Sequence, residues 1–281
     1  MLEVKNLCKH YPKFDLVDVS FELPTGYIMG FIGMNGAGKT TTLKSILNIV
    51  RPDNGEVKIL GKDMSKNEIE IKKEIGFMFG PMDCYSHYTI KKVADVYKRF
   101  FDKWDDSLYE NYLTKFNIDE NKKISDLSAG MKVKLGIAFA LSHEAKLIIL
   151  DEPTSGLDPI ARDELLDIMR EVIANGDKSI LFSTHITSDL DKCADFIIFI
   201  RNGKLIANST KDDLINKYYV LSGKKADLTN ELKSKLIGLK NNEFGFSGLI
   251  ERKDFEKDSQ VQKEKPNLED LMIYLNREED K

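Results

Sequence analysis

Cysteine is scarce in this chain: Cys8, Cys84 and Cys193 are three among 281 residues, odd in number and far apart. None belongs to a Cys-x-x-Cys pair, so neither a zinc cluster nor a disulfide framework is expected, and reduced thiols in the cytosol fit better. Long hydrophobic runs are missing too. Stretches such as Phe196-Ile197-Ile198-Phe199-Ile200 are strand-sized and too short to span a bilayer. The first residues lack the basic-then-apolar layout of a secretory signal. A cytosolic protein is therefore expected, with any membrane role reached through a partner. Positive charge is not in excess: the formal net charge of −4 gives no electrostatic case for nucleic-acid binding. Internal repeats and low-complexity tracts are absent.

What is present is the composition of a globular protein, with 42% hydrophobic and 31% charged residues. The length suits one large domain with an appendage, or two modest domains. Leu2, Val4 and Leu7 read as one buried face, and Leu16 to Leu23 as a second strand. Pro12 and Pro24-Thr25-Gly26 punctuate them, which predicts a small antiparallel layer. Near-continuous apolar runs follow at Ile28–Ile32, Lys146–Leu150, Ser179–Thr184 and Asp195–Ile200, as expected of parallel strands covered on both faces. Helical spacing separates them: one pattern from Thr89 to about Asn117, another starting near Ser128, and a third from Ile160 to Ile173, stopped by Asn175-Gly176. Alternating strands and helices indicate a parallel α/β sheet. The aromatics between Thr89 and Asn117 read as the core of a small helical subdomain.

The segment Gly33-Met34-Asn35-Gly36-Ala37-Gly38-Lys39-Thr40 fits the pattern Gly-x-x-x-x-Gly-Lys-Thr, a phosphate-cradling P-loop. Its flanks, strand Ile28–Ile32 and helical Thr41–Leu47, supply the context the pattern requires. Glycines let backbone N–H groups turn inward with no Cβ in the way. Those amides and the helix N-terminus make an anion site. Lys39 would reach the β- and γ-phosphates of a nucleotide, and the Thr40 hydroxyl would bind Mg²⁺.

Four further features could complete a hydrolytic site. Asp151-Glu152 ends a buried strand, the end where ligands bind in open α/β sheets. Asp151 would hold Mg²⁺ through water, and Glu152 would polarise the attacking water. His185 follows a strand expected beside that of Asp151, and could bond the γ-phosphate and the water-orienting carboxylate. His10, His87 and His143 have no such context. Tyr11, placed in a turn beside Pro12, could stack on adenine or simply sit on the surface. Leu127-Ser128-Ala129-Gly130-Met131 puts small residues at a helix start, with Ser128 as its N-cap.

The order of P-loop, Leu127–Met131, Leu147–Glu152, Ser155-Gly156-Leu157-Asp158 and His185 resembles the ATP-binding subunit of an ABC transporter. The run Asp151-Glu152-Pro153-Thr154-Ser155-Gly156-Leu157-Asp158-Pro159 is nearly diagnostic of that family. The resemblance implies a P-loop NTPase core with a mostly parallel sheet, an N-terminal antiparallel β layer, an inserted helical subdomain and a small C-terminal appendage. It also implies a head-to-tail dimer, of like or sibling chains, with two ATP between them. Gly33, Asn35, Gly36, Ala37, Gly38, Lys39, Thr40 and Thr41 would bind nucleotide in one chain, facing Ser128 and Gly130 of the other. Asp158 would link the two sites, Tyr11 would stack on adenine, and Thr40 and Asp151 would hold Mg²⁺. Glu152, His185 and Lys39 would carry catalysis. The ATPase would dock on a transmembrane permease at the inner face of the membrane.

Two departures stand out. Gly80 occupies the place where the family usually has a glutamine that touches Mg²⁺ and the attacking water and senses the membrane partner. Asp83 is near enough in sequence to substitute. Ala129 and Met131 stand where glycine and glutamine are commoner. The unusual signature at Ala129 and Met131, the short helical segment and the tail Pro266-Asn267-Leu268-Glu269-Asp270-Leu271 resemble the antibiotic- and peptide-exporter branch, exemplified by bacitracin-resistance and phenol-soluble-modulin exporters. An ATPase acting on ribosomes would carry two fused units and one acting on DNA a long coiled coil; neither is visible. A non-hydrolysing nucleotide sensor or regulator is opposed by Glu152. The expected domains are residues 1–214, with the helical subdomain at about 80–144, and an appendage at 215–281.

Overall fold

The computed structural model describes residues 1–80, 85–255 and 261–277. Asp83 and Cys84 lie outside them. The chain divides into two compact units, Met1–His185 with Lys192–Asn208, and Ile186–Asp191 with Ser209–Lys281. The break falls before the expected Leu214 because Thr210 already caps the next helix, its Oγ1 accepting from the Asp213 amide.

The first unit opens on a hairpin of β1 (Leu2–Tyr11) and β2 (Phe14–Leu23). Strict alternation would turn Leu7 away from Leu2 and Val4. A register shift between Val4 and Leu7 corrects this, with Asn6 and Asp18 at positive φ, and all three side chains are buried. A bulge of this kind inserts the residue that resets the face. Then come β3 (Ile28–Ile32), α1 (Lys39–Ile46), β4 (Asn54–Ile59), β5 (Lys62–Asp63), α2 (Glu68–Lys72) and β6 (Ile75–Phe79). The short α2 was not signalled by periodicity. The β2-β1-β4-β5 sheet is antiparallel throughout, as expected.

The single helical pattern expected from Thr89 to Asn117 is two helices, α3 (Ile90–Tyr97) and α4 (Asp106–Lys115). Asp105 separates them, because its carboxylate accepts from the Leu108 amide at 2.9 Å and starts a new helix. The next helix, α5 (Ala129–Leu141), brings Phe139 against Tyr97, Trp104 and Tyr109, so these three join the subdomain core as read, whereas Phe100 is exposed and does not. His143 is buried there, stacked on Phe101, with its ring nitrogens 3.2 and 3.0 Å from the Phe139 and Ile75 carbonyl oxygens. Burial lowers its pKa below the ordinary imidazole value.

Completing this unit's core, β7 (Leu147–Asp151), α6 (Pro159–Ile173), β8 (Ser179–Thr184), α7 (Thr187–Cys193), β9 (Phe196–Arg201) and β10 (Lys204–Thr210) follow, although part of α7 belongs to the second unit. The large sheet runs β10-β9-β3-β8-β7-β6, with β9, β3, β8, β7 and β6 mutually parallel. β3 and β8 are the centre, which explains their unbroken apolar character. One hydrophobic core joins both sheets through residues such as Val4, Phe21, Phe31, Leu43, Leu147 and Ile198.

The β9–β10 turn braces the P-loop. Gly203 donates to the Ala37 carbonyl at 2.9 Å and accepts from the Val17 amide at 2.9 Å. At φ +74 it leaves no room for a Cβ, which would lie 1.7 Å from the Asp15 carbonyl oxygen. Gly203→Ala combines left-handed strain with a forced backbone shift, so a loss of about 3 kcal/mol is expected. A denaturation midpoint unchanged from wild type would remove this bracing role.

The second unit contains α8 (Lys211–Asn216), β11 (Tyr218–Gly223), α9 (Asn230–Lys235), β12 (Ile237–Asn241), β13 (Phe246–Glu251), β14 (Gln262–Glu264) and α10 (Leu268–Asn276). Its antiparallel sheet is ordered β12-β13-β11-β14 around Leu221, Leu236, Phe246 and Ile250. Asn267 and Asp270 form the capping box of α10, which the tail sequence Pro-Asn-Leu-Glu-Asp-Leu encodes.

Candidate active site

The site is assembled at the carboxyl ends of the parallel strands. Registers pair Ile32 with Thr184, Asp151 with Ser183, and Phe79 with Asp151, so β3, β8, β7 and β6 end side by side. The P-loop follows β3, Glu152 follows β7, His185 follows β8 and Gly80 follows β6.

The P-loop has the geometry of an anion cradle. Gly36 and Gly38 have φ of +79° and +112°, and a Cβ on Gly36 would meet nothing within 4 Å. Gly33 and Gly38 are glycines for packing as well: a Cβ would lie 2.5 Å from the Ile200 carbonyl oxygen and 2.8 Å from the Phe14 ring respectively. The first turn of α1 has neither a side-chain cap nor an acidic residue. Its leading amides, Thr41 included, are left for an anion.

Lys39 is 6% exposed and Glu152 is 23% exposed, with Nζ 3.0 Å from Glu152 Oε1. The ammonium also donates to the Gly33 carbonyl at 2.8 Å and the Met34 carbonyl at 3.4 Å. Three donors thus meet three acceptors. The second Glu152 oxygen, Oε2, accepts from His185 Nδ1 at 2.7 Å. A carboxylate only accepts, so Nδ1 carries a proton, and the tautomer this selects for an uncharged ring has Nε2 as its acceptor. Glu152 itself sits at φ +51, a conformation uncommon for a residue with a side chain and concentrated at functional sites.

Asp151 is buried, and its Oδ2 accepts from Thr40 Oγ1 at 2.7 Å. A carboxylate oxygen and a hydroxyl oxygen side by side are hard ligands suited to Mg²⁺, which takes one or two protein ligands and fills its sphere with water and phosphate oxygens. The residues present therefore fit both a nucleotide phosphate and Mg²⁺.

Tyr11 is the last residue of β1 and not part of the turn, which is Pro12-Lys13; it pairs with Phe14, whose ring packs at Gly38. The hairpin tip thereby holds Tyr11 near the P-loop, with the Lys9 ammonium 5.7 Å from its ring centre. Ser128 caps α5, its Oγ accepting from the Met131 amide at 3.2 Å, and it is exposed. Gly130 packs toward Leu157, the neighbour of Asp158, since a Cβ there would lie 3.3 Å from Leu157 Cδ2. Asp158 caps α6 through the Ile160 and Ala161 amides, each at 3.0 Å, and the Ala161 bond leads in lowering its carboxyl pKa. Thus Lys39, Thr40, Asp151, Glu152 and His185 are joined in one site, and Gly130 meets the Asp158 segment separately. Ser183 was missed by sequence reasoning: a serine inside an apolar strand carries no signal of its partners, here Asp151 Oδ1 at 2.5 Å and the Glu152 amide at 2.9 Å.

A P-loop lysine, a strand-end Asp-Glu pair and a histidine on that glutamate, set on this sheet, define a P-loop nucleotide hydrolase. The family model described as "ABC transporter" matches residues 16–155. The chain is 30% identical over 284 residues to the ABC transporter ATP-binding protein YtrB of Bacillus subtilis, covering 97% of each chain. It is 33% identical over 222 residues to the bacitracin transport ATP-binding protein BcrA of Bacillus licheniformis, covering 76% of this chain and 71% of that one. A solved ATP-binding subunit of an ABC transporter superposes with a TM-score of 0.70 at 31% identity, over 76% of this chain and 91% of the other. The chain belongs to the ABC transporter ATP-binding family, and it is an ATPase of the kind that dimerises and works with a transmembrane permease. Among the described residues no helix is long and apolar enough to cross a membrane.

Proposed function

We propose that this chain powers export of a peptide, antibiotic or similar amphipathic cargo through a separate permease, bound at the inner face of the cell membrane. The likeness to a bacitracin transport protein supports the cargo class. The observation that carries the motor reading is the contact of Glu152 with both Lys39 and His185. Lys39 and the P-loop amides hold the γ-phosphate, Thr40 and Asp151 hold Mg²⁺, and Glu152 orients water. When bound, Mg²⁺ supplies positive charge that offsets charge developing on the phosphoryl oxygens. Exposed Ser128 and half-buried Gly130 are read as the half-site offered to a second ATPase chain, identical or a sibling, with Asp158 next in sequence to the Leu157 that Gly130 approaches and Tyr11 stacked on adenine. The domain reading keeps the ATPase in the first unit and the appendage in the second, with no direct nucleic-acid role.

The permease is placed on the helical subdomain. An apolar groove of about 600 Å³ is lined there by Phe77, Tyr85, Tyr88, Val96, Phe100 and His143, among others. Phe77, Tyr85, Tyr88, Val96 and Phe100 are exposed large hydrophobics, a patch of the kind that marks a protein interface. Phe100 is 67% exposed, so Phe100→Asp leaves the fold intact while placing a charge in the groove. Membrane-bound protein is expected to fall about tenfold or more, the loss of one buried aromatic anchor, with permease-independent ATP turnover retained. Equal recovery of variant and wild type in washed membranes would move the permease elsewhere.

A further inference from the structure

Ser183 is wholly buried in β8 and stands opposite Asp151 in the sheet register. Its hydroxyl donates to Asp151 Oδ1 at 2.5 Å and accepts from the Glu152 backbone N–H at 2.9 Å. The directions are fixed by chemistry, because a carboxylate can only accept and an amide N–H can only donate. One small side chain therefore grips both acidic residues, the first through its carboxylate and the second through its peptide.

The two Asp151 oxygens are divided between unlike partners. Oδ1 is held by Ser183, and Oδ2 is shared with Thr40 Oγ1 at 2.7 Å. Oδ2 is thus the oxygen beside the second candidate Mg²⁺ ligand. On the other side, the Glu152 amide is also bonded to the Ser183 carbonyl at 3.2 Å. Both contacts act on the peptide where Glu152 takes φ +51. Ser183 thus meets strain and charge at one point, where a purely packing residue meets neither.

We propose that Ser183 is a positioning residue for ATP hydrolysis. Its hydroxyl presents Asp151 Oδ2 to Mg²⁺ and holds the Glu152 peptide in the left-handed turn that aims its carboxylate. The inference rests on reading Asp151 as a metal ligand and Glu152 as the water-orienting base. Outer partners that orient metal ligands typically contribute about 10–100-fold to metal affinity or activity.

A second buried serine in the same strand supplies the control. Ser179 Oγ donates to the Pro24 carbonyl at 2.9 Å and accepts from the Gly26 amide at 3.0 Å, far from any acid of the site. Loss of that hydroxyl should lower thermal stability without altering response to Mg²⁺.

The test uses the full chain and a fluorescent ADP analogue, titrated in EDTA and across a range of Mg²⁺. In Ser183→Ala, the Mg²⁺ concentration at half effect is expected to rise by about 10–100-fold and kcat to fall by a similar factor. ADP affinity in EDTA, and the KM for ATP at saturating Mg²⁺, should stay near wild type. Ser183→Val and Ser183→Thr are isosteric, so any crowding by their extra methyl groups is common to both. Threonine restores the hydroxyl and should recover the Mg²⁺ response, whereas valine should not. Equal behaviour of the threonine and valine variants, or an unshifted Mg²⁺ response in Ser183→Ala, overturns the assignment. If wild-type ADP binding is itself indifferent to Mg²⁺, the failure lies with Asp151 as a metal ligand, and the inference falls with it.

Discussion

Replacing Glu152 by glutamine lowers ATP turnover by about 10²–10⁴-fold, the usual contribution of a positioned proton acceptor. Glutamine keeps the shape of the side chain and removes its charge. Its amide oxygen can still accept from Lys39, which lies 3.0 Å from Glu152 Oε1. Its NH₂ group must face His185 Nδ1, which donates at 2.7 Å to the native carboxylate. The ring then has to move its proton to Nε2, so the variant loses the water-orienting carboxylate and inverts the histidine in one step. Nucleotide binding is unharmed, because the P-loop amides and Lys39 are intact. With hydrolysis blocked and binding retained, ATP with Mg²⁺ should hold two chains together on a sizing column. A variant that stays monomeric under those conditions would falsify the two-chain site, and turnover near the wild-type rate would remove Glu152 from the chemistry.

How much of this was legible depended on whether the determining contact was local. The P-loop was readable because strand, glycines, lysine and helix are contiguous, and the structure places β3 at Ile28–Ile32 and begins α1 at Lys39. Asp151-Glu152 was readable because a buried strand ending in two acids points to the ligand-binding edge of the sheet. The meeting of His185 with Glu152 required β7 and β8 to be neighbours, a topological expectation that the register supports. Ser183 could not be found in this way, since its importance lies wholly in which residues the register puts opposite it. The Lys39–Glu152 pair was hidden for the same reason.

Elsewhere, short-range periodicity misled. Phe100 and Phe101 continue the apolar spacing of α3, yet Asp105 caps a new helix and the pattern breaks. Leu7 joins the face of Leu2 and Val4 only through a bulge, which alternation cannot express. Gly80 is a departure with a backbone reason, because its φ is +69 and a Cβ there would meet nothing within 4 Å. Among the described residues a Cβ has room, but the left-handed backbone would cost about 1–2 kcal/mol. Installing the family's usual glutamine therefore tests strain together with coupling.

Lys39→Ala is expected to weaken ADP and ATP binding by about 100-fold, since hydrogen bonds to charged groups contribute about 1.5–3 kcal/mol. Two effects add. The ammonium that would meet the phosphates is gone, and its three acceptors lose their donor. Gly33 O, Met34 O and Glu152 Oε1 lie 2.8, 3.4 and 3.0 Å from Nζ in the native chain. Without Lys39 these oxygens leave an anion cradle lined partly by lone pairs. Stability should change far less than affinity. Removing one partner of a buried ion pair is normally the costly change, but Glu152 is 23% exposed, so water can solvate its carboxylate in the space Lys39 leaves. Glu152 also keeps His185 on its other oxygen. The contrast is measurable in one experiment. Thermal melting without nucleotide should nearly coincide for variant and wild type, whereas added ADP with Mg²⁺ should raise only the wild-type midpoint at concentrations near its own Kd. Equal stabilisation of both proteins would remove Lys39 from the phosphate site. An equal loss of stability in both conditions would instead make it a residue of the fold.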